Sequence, residues 1–195
     1  NKMAYFISGG VSYSTFNVTG FNRLEGMNYT SGITPAIGVG ADIVSKRQLG
    51  AIAMRFELLY SSLSIKGNSK LESSGDQLER EYTLKMSNIT PAFSFLYSPF
   101  RGPSYRVYGG IGAAYNFSFY SRNEFKEVNT SENTTTTVED MLKYEKAWLS
   151  IPASLGGIVN NFEFIFSAKI LGTFERFVSV GAKCNTYSLR VAYRF

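Results

Sequence analysis

The side chains of this 195-residue chain that could do chemistry are few in kind. There is no histidine, and Cys184 is the single cysteine. Ser–His and Cys–His nucleophilic pairs are therefore excluded, as are His-ligated metals, cysteine-cluster metals and an internal disulfide framework. Carboxylate chemistry remains. Eight charges sit inside otherwise apolar or small-residue runs: Asp42, Arg55, Glu57, Arg106, Glu163, Lys169, Arg190 and Arg194. An enclosed Asp42 or Glu57 could serve as a general acid or base. The competing reading is that each pairs with Arg55, Arg106, Arg190 or Arg194, since a buried charge is tolerated only when paired. No enzyme signature survives this choice, and no catalytic residue, cofactor or metal is expected.

The remaining candidates are weaker. Gly109-Gly110-x-Gly112 has the look of a phosphate loop, but it lies within a strand pattern and no helix follows it. Cys184 is far from the chain start, where a lipid-anchoring cysteine would stand. The sequons at Asn17, Asn28, Asn88, Asn116, Asn129 and Asn133 are read as coincidence in a chain rich in Asn, Ser and Thr. Twenty Lys+Arg against fifteen Asp+Glu give a net charge of +5. The densest basic run is only Lys46-Arg47, so no nucleic-acid partner is expected. No apolar run reaches the ~18 residues of a transmembrane helix. A first residue of Asn1 fits a processed secreted chain or a trimmed one.

The elements that must position these charges repeat with a period of two, as strands do. The clearest is the last, where Tyr187, Leu189, Val191, Tyr193 and Phe195 alternate with Ser188, Arg190, Ala192 and Arg194. Seven earlier segments match it: residues 4–14, 33–43, 52–61, 82–97, 106–119, 147–155 and 162–170. In the fourth, Tyr82, Leu84 and Met86 have the opposite parity to Ile89, Pro91, Phe93 and Phe95, and a one-residue bulge near Ser87-Asn88 would reconcile them. Short gaps (Ser45–Gln48, Ser98–Ser104, Asn160-Asn161) alternate with long polar ones (Thr19–Ser31, Gly67–Glu81, Ser121–Glu145). The gap within Thr173–Asn185 is blurred, and Thr137–Lys146 could form a short helix.

An ordinary soluble sandwich or lipocalin-like barrel would turn its apolar faces inward and dress the other face in Lys, Glu, Thr and Gln. Here the polar face carries Gly, Ala and Ser with sparse charges of both signs. The apolar face is rich in Tyr and Phe near segment ends, as in aromatic girdles. The expectation is therefore one domain over residues 1–195: an all-β, closed antiparallel transmembrane barrel of eight strands, or of ten if one segment is misread. A barrel of eight is filled by its own side chains; Phe6, Tyr108 and Trp148 point inward, and no diffusion pore is expected.

Residues Leu189, Val191, Tyr193 and Phe195, at two-residue steps, resemble the C-terminal strand of bacterial outer-membrane proteins. With Val107–Tyr115 (VYGGIGAAY) and Leu149–Gly156 (LSIPASLG), the chain resembles the small outer-membrane β-barrel family common in Bacteroidota (PorT-like/OmpX-like). The resemblance implies a bacterial outer-membrane location, periplasmic termini and short turns, and extracellular long loops. It also implies contact with outer-membrane lipids and a C-terminal strand read by the barrel assembly machinery. It implies no uniform activity. Two tasks follow as expectations: an accessory subunit of a larger outer-membrane complex, or an adhesin or ligand-binding barrel acting through its loops. The loop Arg122–Lys146, with four Lys/Arg and six Asp/Glu, reads either as a solvated variable loop or, in both tasks, as the contact with a ligand or partner. On the short-turn side, Lys46, Arg47 and Arg101 suit lipid phosphates.

Overall fold

The computed structural model describes residues 2–45, 52–73, 76–142, 146–177 and 180–195. The short-turn residues Lys46 and Arg47 fall outside them, as do Lys143 and Glu145. Ten strands run in chain order: β1 (Lys2–Thr19), β2 (Asn28–Ser31), β3 (Thr34–Val44), β4 (Ile52–Ser73), β5 (Asp76–Arg101), β6 (Tyr105–Asn129), β7 (Thr134–Glu139), β8 (Ala147–Val159), β9 (Phe162–Phe177) and β10 (Val180–Arg194). Eight close a ring in the order β1-β3-β4-β5-β6-β8-β9-β10, with β10 paired back to β1; β2 and β7 add to β4 and β6 outside it. Every pairing is antiparallel. The eight-stranded ring agrees with the sequence. The extra two strands belong to the long connections.

The outer wall is apolar. On β10, Leu189, Val191, Tyr193 and Phe195 are 58%, 46%, 48% and 71% exposed, while Arg190 between them is 2% exposed. Equivalent outward rows run round the ring: Tyr5, Ile7, Val11 and Tyr13 on β1, Phe56 and Leu58 on β4, Phe162, Phe164 and Phe166 on β9. A continuous apolar girdle of this size does not face water. It faces lipid, where closure of the ring leaves no unpaired strand edge. The chain is a transmembrane β-barrel.

Crossing the bilayer takes about 9–11 residues per strand, yet β4 has 22 and β5 has 26. Both run on together to the pair Ser73–Asp76. Past Tyr60 the outward residues of β4 become Ser62, Ser64 and Lys66, so half of the hairpin stands beyond the girdle. The barrel therefore has a flush turn end, holding both termini, and a raised hairpin end.

Three sequence expectations change here. The long polar gaps are largely ladder: β6 continues to Asn129 and β7 pairs with it from Glu124↔Glu139 to Asn129↔Thr134. Of the stretch Thr137–Lys146 expected as a short helix, the first three residues are strand, the end of β7, and Asp140 ends it at φ 48°; Lys143 and Glu145 lie outside the described residues. Threonines with β-branched side chains suit a pleated strand better than a helix. The bulge expected near Ser87-Asn88 is found there, in the β5–β6 pairing, but β5 does not carry it. Its pairing with β4 runs unbroken through Ser61↔Asn88 and Ser62↔Ser87. The extra residue is on β6, where Tyr120 and Ser118 face Ser87 and Asn88 and Phe119 is skipped. Tyr82, Leu84 and Met86 keep inward parity because the barrel interior itself changes from polar to apolar at that height. The blurred region before Asn185 holds two register shifts between β9 and β10.

Candidate functional site

The interior has two floors. At the turn end, four charges from four strands close a loop. Arg55 on β4 grips Asp42 on β3 with two bonds, Nε to Oδ1 at 2.8 Å and Nη2 to Oδ2 at 2.9 Å. Arg55 Nη2 also reaches Glu163 Oε1 on β9 at 2.6 Å. Arg194 on β10 bonds Glu163 Oε2 at 2.5 Å and Asp42 Oδ2 at 2.8 Å. Asp42 and Glu163 are wholly buried and Arg55 is 4% exposed. β4 and β9 lie on opposite sides of the ring, so the Arg55–Glu163 pair bridges the lumen. Tyr108 donates its hydroxyl to Glu163 and accepts from Arg55 Nη1 at 3.0 Å. Arg55 also stacks over the Phe6 ring at 4.5 Å.

Small residues make room for these bulky groups. A side chain at Gly156 would run into the Tyr108 ring, and one at Gly40 into Phe6. This is the role of glycine in this wall. Gly110 likewise lies against Leu96 and Ser154, within β6 and with no helix after it, which is no setting for a phosphate loop.

Above this floor Glu57 pairs with Arg190, whose Nη1 also donates to Ser8 Oγ at 2.9 Å. Two of the eight sequence-selected charges stay outside the ion pairs. Arg106 Nε donates to Ser98 Oγ at 2.5 Å and its Nη2 is buried without an acceptor. Among the described residues Lys169 Nζ has only neutral partners, Asn116 Oδ1 at 3.3 Å and Thr90 Oγ1 at 3.5 Å. The pairing expected for Arg106 is absent among the described residues because its strand partner is Arg101, another cation.

At the hairpin end the interior is hydrophobic. Phe16, Val18, Leu63, Ile65, Tyr82, Leu84, Met86 and Phe125 are buried together with Leu24, Met27, Leu142 and Cys184. Leu24 comes from the turn between β1 and β2, which bends at Gly20 and Gly26, both with positive φ. Leu142 is tied down by Asn123, which donates Nδ2 to its carbonyl at 2.7 Å and accepts its N–H at 3.1 Å. Two connections thus fold inward and stopper the barrel. Tyr29 braces this stopper by donating to Leu24 O at 2.5 Å. Burial raises its phenol above the ordinary value of 10.0. The stopper is what the sequence reading missed. Its signal was the parity of Tyr82, Leu84 and Met86, which reads as an apolar interior once the bulge is moved to β6.

Chemically, the Asp42 and Glu163 carboxylates of this interior are buried and saturated by guanidinium groups. Cys184 is buried in the stopper. The sequon residues Asn88 and Asn116 are 7% and 2% exposed inside the barrel, which bars glycan attachment.

No family model and no curated protein matches the chain. Among solved structures it is similar to Ail, the attachment invasion locus protein of Yersinia pestis, in complex with the heparin analogue sucrose octasulfate. The identity is 15%, all of both chains is covered, and the TM-score is 0.39. It is also similar to the outer membrane protein OprG of Pseudomonas aeruginosa, at 14% identity over 98% of this chain and 95% of that one, with a TM-score of 0.47. These likenesses are too distant to assign an activity. The barrel stands on its own strand pairing.

Proposed function

We propose that the chain is an integral barrel of a bacterial outer membrane, with termini and turn end in the periplasm. In this reading it works as an interaction protein, an accessory subunit of a larger outer-membrane assembly. The observation that carries the reading is the edge of β7. Among the described residues Thr134–Glu139 pairs with β6 alone, and its other side is an open row of backbone donors and acceptors on a sheet raised above the girdle. Such an edge invites a strand from another protein. The filled lumen favours this over conduction. The outward row Leu189, Val191, Tyr193 and Phe195 serves as the strand read by the barrel assembly machinery, and outer-membrane lipids cover the girdle.

The test is purification from the native membrane in mild detergent with quantitative mass spectrometry. A stoichiometric membrane partner is expected with the wild-type barrel. It should be lost in either Thr135→Pro or Thr136→Pro, because adjacent residues of β7 point their N–H groups to opposite sides and one substitution leaves the β6 ladder whole. Retention of the partner in both variants would overturn the edge as the contact. In planar bilayers the purified barrel should show no steady current; porin-like conductance would refute the closed lumen.

A second reading, an adhesin or ligand-binding barrel, is favoured by a cleft of about 290 Å³ on the hairpin end lined by Thr83, Lys85, Tyr120, Arg122 and Glu124. Capture of a soluble or matrix ligand in place of a membrane subunit, lost in Arg122→Ala, would support it.

A further inference from the structure

The eight interior charges do not balance. Asp42, Glu57 and Glu163 face Arg55, Arg106, Lys169, Arg190 and Arg194, so three acids meet five bases. The ring of Asp42, Arg55, Glu163 and Arg194 is neutral, and so is the Glu57–Arg190 pair. Arg106 lies near the open turn end. Lys169 does not: it lines a small, narrow-mouthed pocket with a cavity volume of about 20 Å³ between the ion pairs below and the apolar stopper above. That is room for one particle of about water size.

The walls of this cavity are suited to an anion. Ser61, Asn88, Asn116, Ser150 and Thr186 line one side with Lys169, Leu63, Trp148 and Cys184 line the side toward the stopper, and no carboxylate lines either. The ammonium has three protons and only two long contacts to neutral oxygens. Asn88 Oδ1 is buried without a donor; rotation of that amide would instead present its N–H group. An unpaired ammonium next to a hydrophobic stopper is costly unless it gives up a proton or a counter-charge joins it, and a bound anion is the route that keeps the proton.

We propose that this cavity is a binding site for one small monovalent anion of the halide class, held by the Lys169 ammonium with Ser61, Thr186 and the rotated Asn88 amide. The anion supplies the counter-charge that the three interior carboxylates do not provide and enters as the barrel closes. It is a structural ligand that joins the two floors of the interior.

The barrel is refolded and crystallised in sodium bromide. Anomalous scattering should place one bromide beside Lys169 Nζ; its absence there would overturn the site. Independently, thermal unfolding in detergent is compared in sodium bromide and in sodium gluconate at equal ionic strength, gluconate being too large for the cavity. The wild type should melt about 2–4 °C higher in bromide. Lys169→Met should fold, judged by its unboiled gel mobility, and lose that difference. An equal difference in Lys169→Met would overturn the assignment. If Lys169→Met does not fold, the bromide map of the wild-type barrel decides alone.

Discussion

The two floors of the barrel solve one packing problem with opposite chemistry. The turn-end floor fills its space with Arg55, Arg194, Asp42 and Glu163, joined by bidentate and bridging bonds. The hairpin-end floor fills it with Leu, Ile, Met, Phe and Tyr. The difference follows from what surrounds each. Inside the girdle, lipid covers the outer wall, so the apolar residues of each strand are spent outward and the polar ones are left to meet across the lumen. Beyond the girdle the outer wall meets water. There the alternation inverts, and the apolar residues turn inward as they do in a soluble protein. One continuous strand, β5, carries both patterns: Phe93 and Phe95 outward, Tyr82, Leu84 and Met86 inward.

This contrast can be broken at either floor. The largest effect should come from Glu163→Ala, which strips a buried acceptor from Arg55, Arg194 and Tyr108 at once. Loss of one partner from a buried ion network costs ~3–5 kcal/mol, read by urea unfolding of the lipid-reconstituted barrel; a loss below about 1 kcal/mol would show that water already screens the ring. Leu84→Ala in the stopper should cost about 3 kcal/mol through transfer and cavity terms. Its signature is different: the loss should be insensitive to salt.

A sharper comparison is the double variant. Glu163 and Leu84 share no partner, so the two losses should add within about 0.5 kcal/mol. A larger coupling would mean that the floors fold as one unit through the Lys169 layer. The smallest effect is a pH dependence confined to the hairpin end. Because the folded Tyr29 phenol titrates above 10.0, the unfolded chain ionises first as pH rises. Stability should be complete below pH 10 and fall above it. Tyr29→Phe should remove that part of the alkaline loss, and an identical alkaline profile in the variant would place Tyr29 in water.

Much of the barrel is legible residue by residue. The alternation of Leu189, Val191 and Tyr193 with Arg190 and Arg194 predicts the wall and its two faces, because a strand places neighbours on opposite sides. The eight interior charges could be chosen from the sequence for the same reason, and so could their surplus of two cations. Which charges meet could not. Arg55 and Glu163 are 108 residues apart, and only closure of the ring sets β4 opposite β9.

The sequence by itself determined the period, the inward and outward sets within the girdle and the absence of histidine chemistry, since these depend only on residue type and local geometry. Tertiary structure alone decided three things. It turned the polar gap after Ser121 into paired strands, because a ladder needs a neighbour that no local pattern names. It moved the bulge from β5 to β6, because register is a property of two strands together. And it left Lys169 beside a small pocket without a carboxylate, because whether a cation finds a carboxylate depends on how far round the barrel the nearest one falls.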